Sequence, residues 1–152
     1  MTTRILVVDD DKEILKLVEQ MLLASGFEVT AVESGELALS ALEKVSGHAG
    51  IDLIFLDLMM PGMSGYQVLE ELKKRPEMSS IPVIILTARD SGMDMIGGYQ
   101  IGADYYIPKP FTRSQLTYGV NLVLHGADDP NVLGQKVEGS EDLETWFTGK
   151  VR

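Results

Sequence analysis

Four short segments of the chain are apolar with little interruption: ILVV at 5–8, FEVTAV at 27–32, LIFL at 53–56 and VIIL at 83–86. A weaker fifth, DYYI, follows at 104–107. The first, third and fourth are apolar at every position, which predicts strands covered on both faces. FEVTAV instead alternates Phe27, Val29 and Ala31 with Glu28 and Thr30, the pattern of an edge strand.

Helical spacing fills the intervals. KEILKLVEQMLLASG places Ile14, Leu17, Val18, Met21 and Leu22 on one face and stops at Gly26. Ser34 caps ELALSALEKV, with Gly47 beyond it. Ser64 opens SGYQVLEELKKR as a capping box with Gln67, and Pro76 lies past its end. Thr112 and Gln115 repeat the box at the start of TRSQLTYGVNLVLHG. Strand and helix therefore alternate five times, which predicts an α/β fold with a doubly wound parallel sheet and right-handed crossovers.

The fourth predicted helix, SGMDMIGGYQIGA, is the weak one. It carries Gly92, Gly97, Gly98 and Gly102, and an interior glycine costs about 1 kcal/mol against alanine. Two readings stand: a poor helix held by packing, or a segment kept marginal so that it shifts. Residues 127–152 read as an acidic tail. ADDPNVLGQKVEG is linker-like, and SEDLETWFTG is consistent with one short helix whose Leu143, Trp146 and Phe147 make an apolar side. Packing on the same domain or on a dimer mate is its expected use.

Composition narrows the chemistry. The 152 residues suit one domain, and the absence of cysteine excludes disulfides and thiolate metal sites. Only His48 and His125 offer imidazole. A net charge of −10 argues against a direct nucleic-acid surface, which needs clustered lysine and arginine. The tail repeats this bias, with six acids against three bases. MTTRILVVDDD is too short in apolar residues for a secretory signal, and no run approaches the roughly 20 residues of a membrane span. A soluble, cytoplasmic protein without a membrane partner is expected.

In an open parallel sheet the carboxyl ends of the strands emerge along one edge, and ligands bind in the crevice there. Past the first strand stand Asp9 and Asp10; past the third, Asp57; past the fourth, Thr87; past the fifth, Lys109. Three carboxylates, a hydroxyl and an ammonium make the inventory of a cation-plus-phosphate site. Crowded acids repel and raise a pKa unless a cation intervenes. Mg²⁺ suits a few carboxylates, waters and a phosphate oxygen. Asp57, ending the middle strand, is where a carboxylate oxygen meets phosphorus. Each residue alone has a plainer use: an Asp run as a solvated helix start, Asp57 capping the Pro61–Gly62 turn, Thr87 capping a helix, Lys109 lying on the surface. Their conjunction at strand ends is the signal.

ILVVDDD, LIFLDLMMPGMSG, IPVIILTA and GADYYIPKPF, in that order and spacing, resemble the response regulator receiver domain of two-component phosphorelays over about residues 3 to 125. The resemblance implies a flavodoxin-like (βα)5 sandwich with strand order 2-1-3-4-5, a receiver domain over 3–126, and a tail from 127. It implies that Asp57 is the phosphoacceptor, served by a histidine kinase or histidine phosphotransfer protein. Mg²⁺ would be held by Asp10 directly, by Asp9 through water, and by Asp57 and the main-chain carbonyl of Met59. Thr87 and Lys109 would hold phosphoryl oxygens, and Tyr106 would change rotamer with Thr87 as the switch. The Lys109–Pro110 peptide would be cis. A downstream protein or output domain, or a second copy in a homodimer, would read the surface formed by the fourth helix, fifth strand and fifth helix. Such a chain is a phosphoacceptor supporting its own phosphoryl transfer and dephosphorylation, not an enzyme in the ordinary sense. Met59 and Arg89 flank the approach of hydrolytic water. The competing function, an aspartyl-nucleophile phosphohydrolase, needs a second acid two residues after the first, where this chain has Met59.

Overall fold

Each apolar segment forms a strand of one parallel sheet in the computed structural model, which describes residues 2–44, 50–88 and 102–126. The strands are β1 (Arg4–Val8), β2 (Glu28–Val32), β3 (Leu53–Leu56), β4 (Val83–Ala88) and β5 (Tyr105–Lys109), ordered β2-β1-β3-β4-β5. The helices are α1 (Lys12–Ala24), α2 (Gly35–Glu43), α3 (Gly65–Lys74) and α4 (Arg113–His125). Residues 91–101 of the fourth predicted helix, and the whole of the one predicted over 140–149, lie outside the described residues.

Strand alternation builds two cores, one on each face of the sheet. Leu6 and Val8, Ile54 and Leu56, Val83 and Ile85, and Tyr106 pack with Ala38, Leu39 and Leu42 of α2 and Val68, Leu69 and Leu72 of α3. Their sequence neighbours Ile5, Val7, Leu53, Phe55, Ile84, Leu86, Tyr105 and Ile107 turn the other way, onto Leu15, Val18 and Leu22 of α1 and Leu116 and Val120 of α4. This is why β1, β3 and β4 are apolar without alternation. Burying one such side chain is worth roughly 1.5–3 kcal/mol. At the edge, β2 keeps Glu28 and Thr30 in solvent, as its alternation predicts.

Local chemistry fixes the helix ends. The side chains of Ser64 and Thr112 accept from the N–H of Gln67 and Gln115, and both glutamines return the bond. Ser34 caps α2, which runs to Glu43 with Lys44 as its C-cap; the predicted end at Val45 lies outside the described residues. At the end of α1, Gly26 takes φ +92 while the Phe27 N–H reaches the Leu22 carbonyl at 3.1 Å. Only glycine holds that left-handed backbone without strain. One predicted contact moves. Leu17, placed in the α1 core face by its spacing, is 41% exposed, and Leu15 is buried in its place. Seven apolar residues between 14 and 23 leave the stripe's centre open, and packing centres it on Leu15, Val18 and Leu22.

Two aspartates set the strand starts. Asp52 donates its N–H to the Arg4 carbonyl and accepts from the Arg4 N–H through its carboxylate, both at 2.8 Å. Asp104 makes the same pair with Val83, again at 2.8 Å. Each clamp fixes a register from which the far ends of the strands follow.

Candidate functional site

The site is built by carrying the β-ladder one residue past the strands. The Asp57 N–H donates to the Val8 carbonyl at 3.0 Å, and the Asp9 N–H to the Val32 carbonyl at 3.2 Å. Asp9 and Asp57 thus emerge side by side, 1% and 5% exposed, at the carboxyl edge of a sheet whose central strands are covered on both faces. Asp10, one residue on, faces solvent. The carboxylate oxygens of Asp9, Asp10 and Asp57 lie within 4.8 Å of one another.

Lys109, the last residue of β5, reaches across this edge. Its Nζ donates to Asp9 Oδ2 at 2.9 Å and to Asp57 Oδ2 at 3.4 Å. Burial acts against the ammonium, but the Asp9 hydrogen bond and the charges of Asp57 and Asp9 outweigh it and raise its pKa above the ordinary lysine value. Lys109 is therefore a fixed cation.

Asp57 behaves oppositely. Burial first, and then the neighbouring Asp9 charge, push its carboxyl from 3.8 up to about 6, against the opposing pull of Lys109 and the Met59 N–H. That N–H donates to Asp57 Oδ1 at 3.1 Å, and the Met59 side chain projects into solvent, 59% exposed. One lysine does not neutralise three crowded acids. A second cation would satisfy what Lys109 leaves over.

Thr87, at the end of β4 beside Pro108 and Lys109 of β5, is 1% exposed. Its Oγ1 has no hydrogen-bond partner among the described residues. A buried hydroxyl without an acceptor costs free energy. The Lys109–Pro110 peptide is cis, as the resemblance implies. Tyr106, registered beside Ile85, is buried in the face that holds α2 and α3.

All five residues expected at the strand ends, Asp9, Asp10, Asp57, Thr87 and Lys109, therefore gather at one sheet edge. Reading Asp9–Asp11 as a uniformly solvated helix start holds only for part of the run. Asp11 caps α1, its carboxylate accepting from the Glu13 and Ile14 N–H groups at 3.0 and 3.2 Å. Its own N–H donates to Asp9 Oδ1 at 2.9 Å. Asp11 thereby orients Asp9, a role sequence reasoning missed, although an acid two residues before a helical Glu13 is an N-cap signal. Arg89 lies outside the described residues.

The donor set tests whether a metal fits. Three carboxylates, one of them on an exposed residue, suit a hard divalent cation that keeps several waters. The residues fit. No helix among the described residues is long and apolar enough to cross a membrane.

The chain is similar to known proteins in sequence and in fold. Sensory transduction protein RegX3 of Mycobacterium tuberculosis is 39% identical over 136 residues, 89% of this chain and 57% of that protein. Transcriptional regulatory protein CpxR of Escherichia coli is 37% identical over 141 residues, 93% of this chain and 57% of that one. The chain thus spans little more than half the length of these relatives. Among solved structures, the chemotaxis protein CheY4 of Vibrio cholerae superposes with a TM-score of 0.74 at 27% identity, covering 82% of this chain and all of that one. A response regulator receiver domain protein from Clostridium thermocellum gives 0.73 at 31% identity, covering 80% and 93%. Residues 5–121 match the response regulator receiver domain, and the chain belongs to that family.

Proposed function

We propose that Asp57 accepts a phosphoryl group from a histidine kinase or histidine phosphotransfer protein and that the chain is a signalling switch rather than an enzyme in the ordinary sense. The observation that carries the reading is the buried Asp57 carboxylate, its Oδ2 3.4 Å from the Lys109 ammonium and its neighbours Asp9 and Asp10 within metal-sharing distance. Mg²⁺ fits the acidic cluster, held by Asp9, Asp10, Asp57 and the Met59 carbonyl, and would supply charge neutralisation for a phosphoryl group in transit.

The remaining work belongs to the chain. An Asp57 oxygen attacks phosphorus in line; the new O–P bond forms as the P–N bond to the donor imidazole breaks, and the imidazole leaves with the bonding pair. Lys109, already positioned by Asp9, offsets charge on the phosphoryl oxygens. The Thr87 hydroxyl donates to another of these oxygens, a partner it lacks among the described residues. Movement of Thr87 then opens space for Tyr106, and the surface of the fourth predicted helix, β5 and α4 changes for a downstream protein, an output domain or a second copy to read. Residues 3–126 form the receiver unit, acting in the cytoplasm, and 127–152 follow it in sequence. Water attack on the acyl phosphate resets the switch beside the exposed Met59.

The test is direct. The protein is incubated with a small phosphodonor and Mg²⁺, weighed intact, and compared with Asp57→Asn. One added phosphoryl group in the wild type alone is expected; equal gain in both would place the acceptor elsewhere.

A further inference from the structure

Gly65, the first residue of α3, has its Cα pressed against the backbone that carries the phosphoacceptor. A Cβ built on it would stand 2.4 Å from the Asp57 carbonyl oxygen, 2.6 Å from Leu58 Cα and 3.0 Å from the Asp57 carbonyl carbon. All three are main-chain atoms, which cannot swing aside as a side chain does. The Gly65 N–H also donates to the Leu58 carbonyl at 3.0 Å, closing the loop from 58 to 65 on itself. Helix propensity does not explain a glycine here, because alanine is the better helix former. Close approach does.

We infer that Gly65 is a positioning residue for the site: by letting α3 begin directly against the Asp57–Leu58 peptide, it holds the Asp57 carboxylate and the Met59 carbonyl where cation and phosphoryl group need them. This rests on the function proposed above. The loop between Asp57 and Gly65 is anchored at one end by the β3 ladder, through Asp57 N–H to Val8, and at the other by the Ser64–Gln67 capping box. Both anchors resist displacement, so a methyl group at 65 has to move the peptide between them. That peptide leads into the Met59 N–H, which holds Asp57 Oδ1.

Gly35 supplies a matched control. It is likewise the first residue of its helix, yet a Cβ there would meet side chains only, Val68 Cγ2 at 2.7 Å and Met63 at 3.0 and 3.1 Å. The wild type, Gly65→Ala and Gly35→Ala are titrated with Mg²⁺ alone, followed by the amide resonances of residues 9–11 and 57–60. The Mg²⁺ concentration for half-maximal phosphorylation is measured alongside. All samples contain a stabilising osmolyte, so that a marginal variant stays folded. Gly65→Ala is expected to raise the half-saturating Mg²⁺ concentration at least tenfold by both readouts, with Gly35→Ala within twofold of wild type. A folded Gly65→Ala with wild-type Mg²⁺ binding overturns the inference and leaves the proposed function standing. A wild type that shows neither Mg²⁺ shifts at these residues nor phosphorylation overturns both. Equal loss in the two variants shows general loosening and also overturns the positioning role.

Discussion

Asp57 and Thr87 are individually unfavourable to the fold, and each makes a measurable statement. The folded chain binds a proton on Asp57 more tightly than the unfolded chain does, with pKa about 6 against 3.8. The stability this proton contributes is fully present below about 3.8 and is lost as pH rises through about 6. In metal-free buffer Asp57→Asn is therefore expected to be more stable than wild type above pH 6.5, by roughly 1–3 kcal/mol, with the gap closing towards pH 4. Urea denaturation across that range checks it; a gap that widens on acidification would contradict the assignment. Thr87→Val removes a buried hydroxyl that has no partner among the described residues, without changing shape. It is expected to match or exceed wild-type stability by up to about 1 kcal/mol, while weakening the grip on a phosphoryl mimic at least tenfold. A large loss of stability would mean that Thr87 has a structural partner after all. These residue types at these positions were legible in the sequence, because the carboxyl end of a parallel strand is a fixed address. Their microenvironments were not. Nothing in the run Asp9-Asp10-Asp11 distinguishes the buried acid from the solvated one; that division follows from where the ladder ends and α1 begins.

At the scale of elements, local rules and packing rules separate cleanly. Both capping boxes were visible in sequence because Ser64–Gln67 and Thr112–Gln115 interact within one turn. Ser64→Ala is expected to lower stability by about 1 kcal/mol in urea. Phe55 is fully buried at the centre of β3, and Phe55→Ala is expected to cost about 3–5 kcal/mol. The same denaturation series checks both, and similar losses in the two would contradict the distinction between a surface cap and a core residue. The core face of α1 was less legible. Its apolar residues cover more than one stripe, so the choice of Leu15 over Leu17 is made by β-strand and α4 neighbours that helical spacing does not encode. The aspartate clamps at Asp52 and Asp104 escaped notice for a related reason, since an acid before a strand has many uses until its partner strand is known.

For the whole molecule, residues from 9 to 109 share one site because five parallel strands end along a common edge. This convergence was the most legible feature of all, since topology alone brings the ends together. What topology leaves out is the pairing inside the site: Lys109 lies nearer Asp9, at 2.9 Å, than Asp57, at 3.4 Å, and so stands ready beside the acceptor rather than bonded wholly to it. Mg²⁺ binding only the folded state should stabilise the wild type by about 1.4 kcal/mol at ten times its dissociation constant. That increment should be largely lost in Asp10→Asn, and thermal melts with and without the ion measure it.

The most direct measurement is a crystal structure grown with Mg²⁺ and beryllofluoride, a mimic of the phosphoryl group. The account predicts beryllium bonded to an Asp57 carboxylate oxygen, Thr87 Oγ1 and Lys109 Nζ within hydrogen-bonding distance of its fluorines, and one Mg²⁺ contacting Asp10 and Asp57. Beryllofluoride seated away from Asp57, or a metal bound without either of those carboxylates, would contradict it.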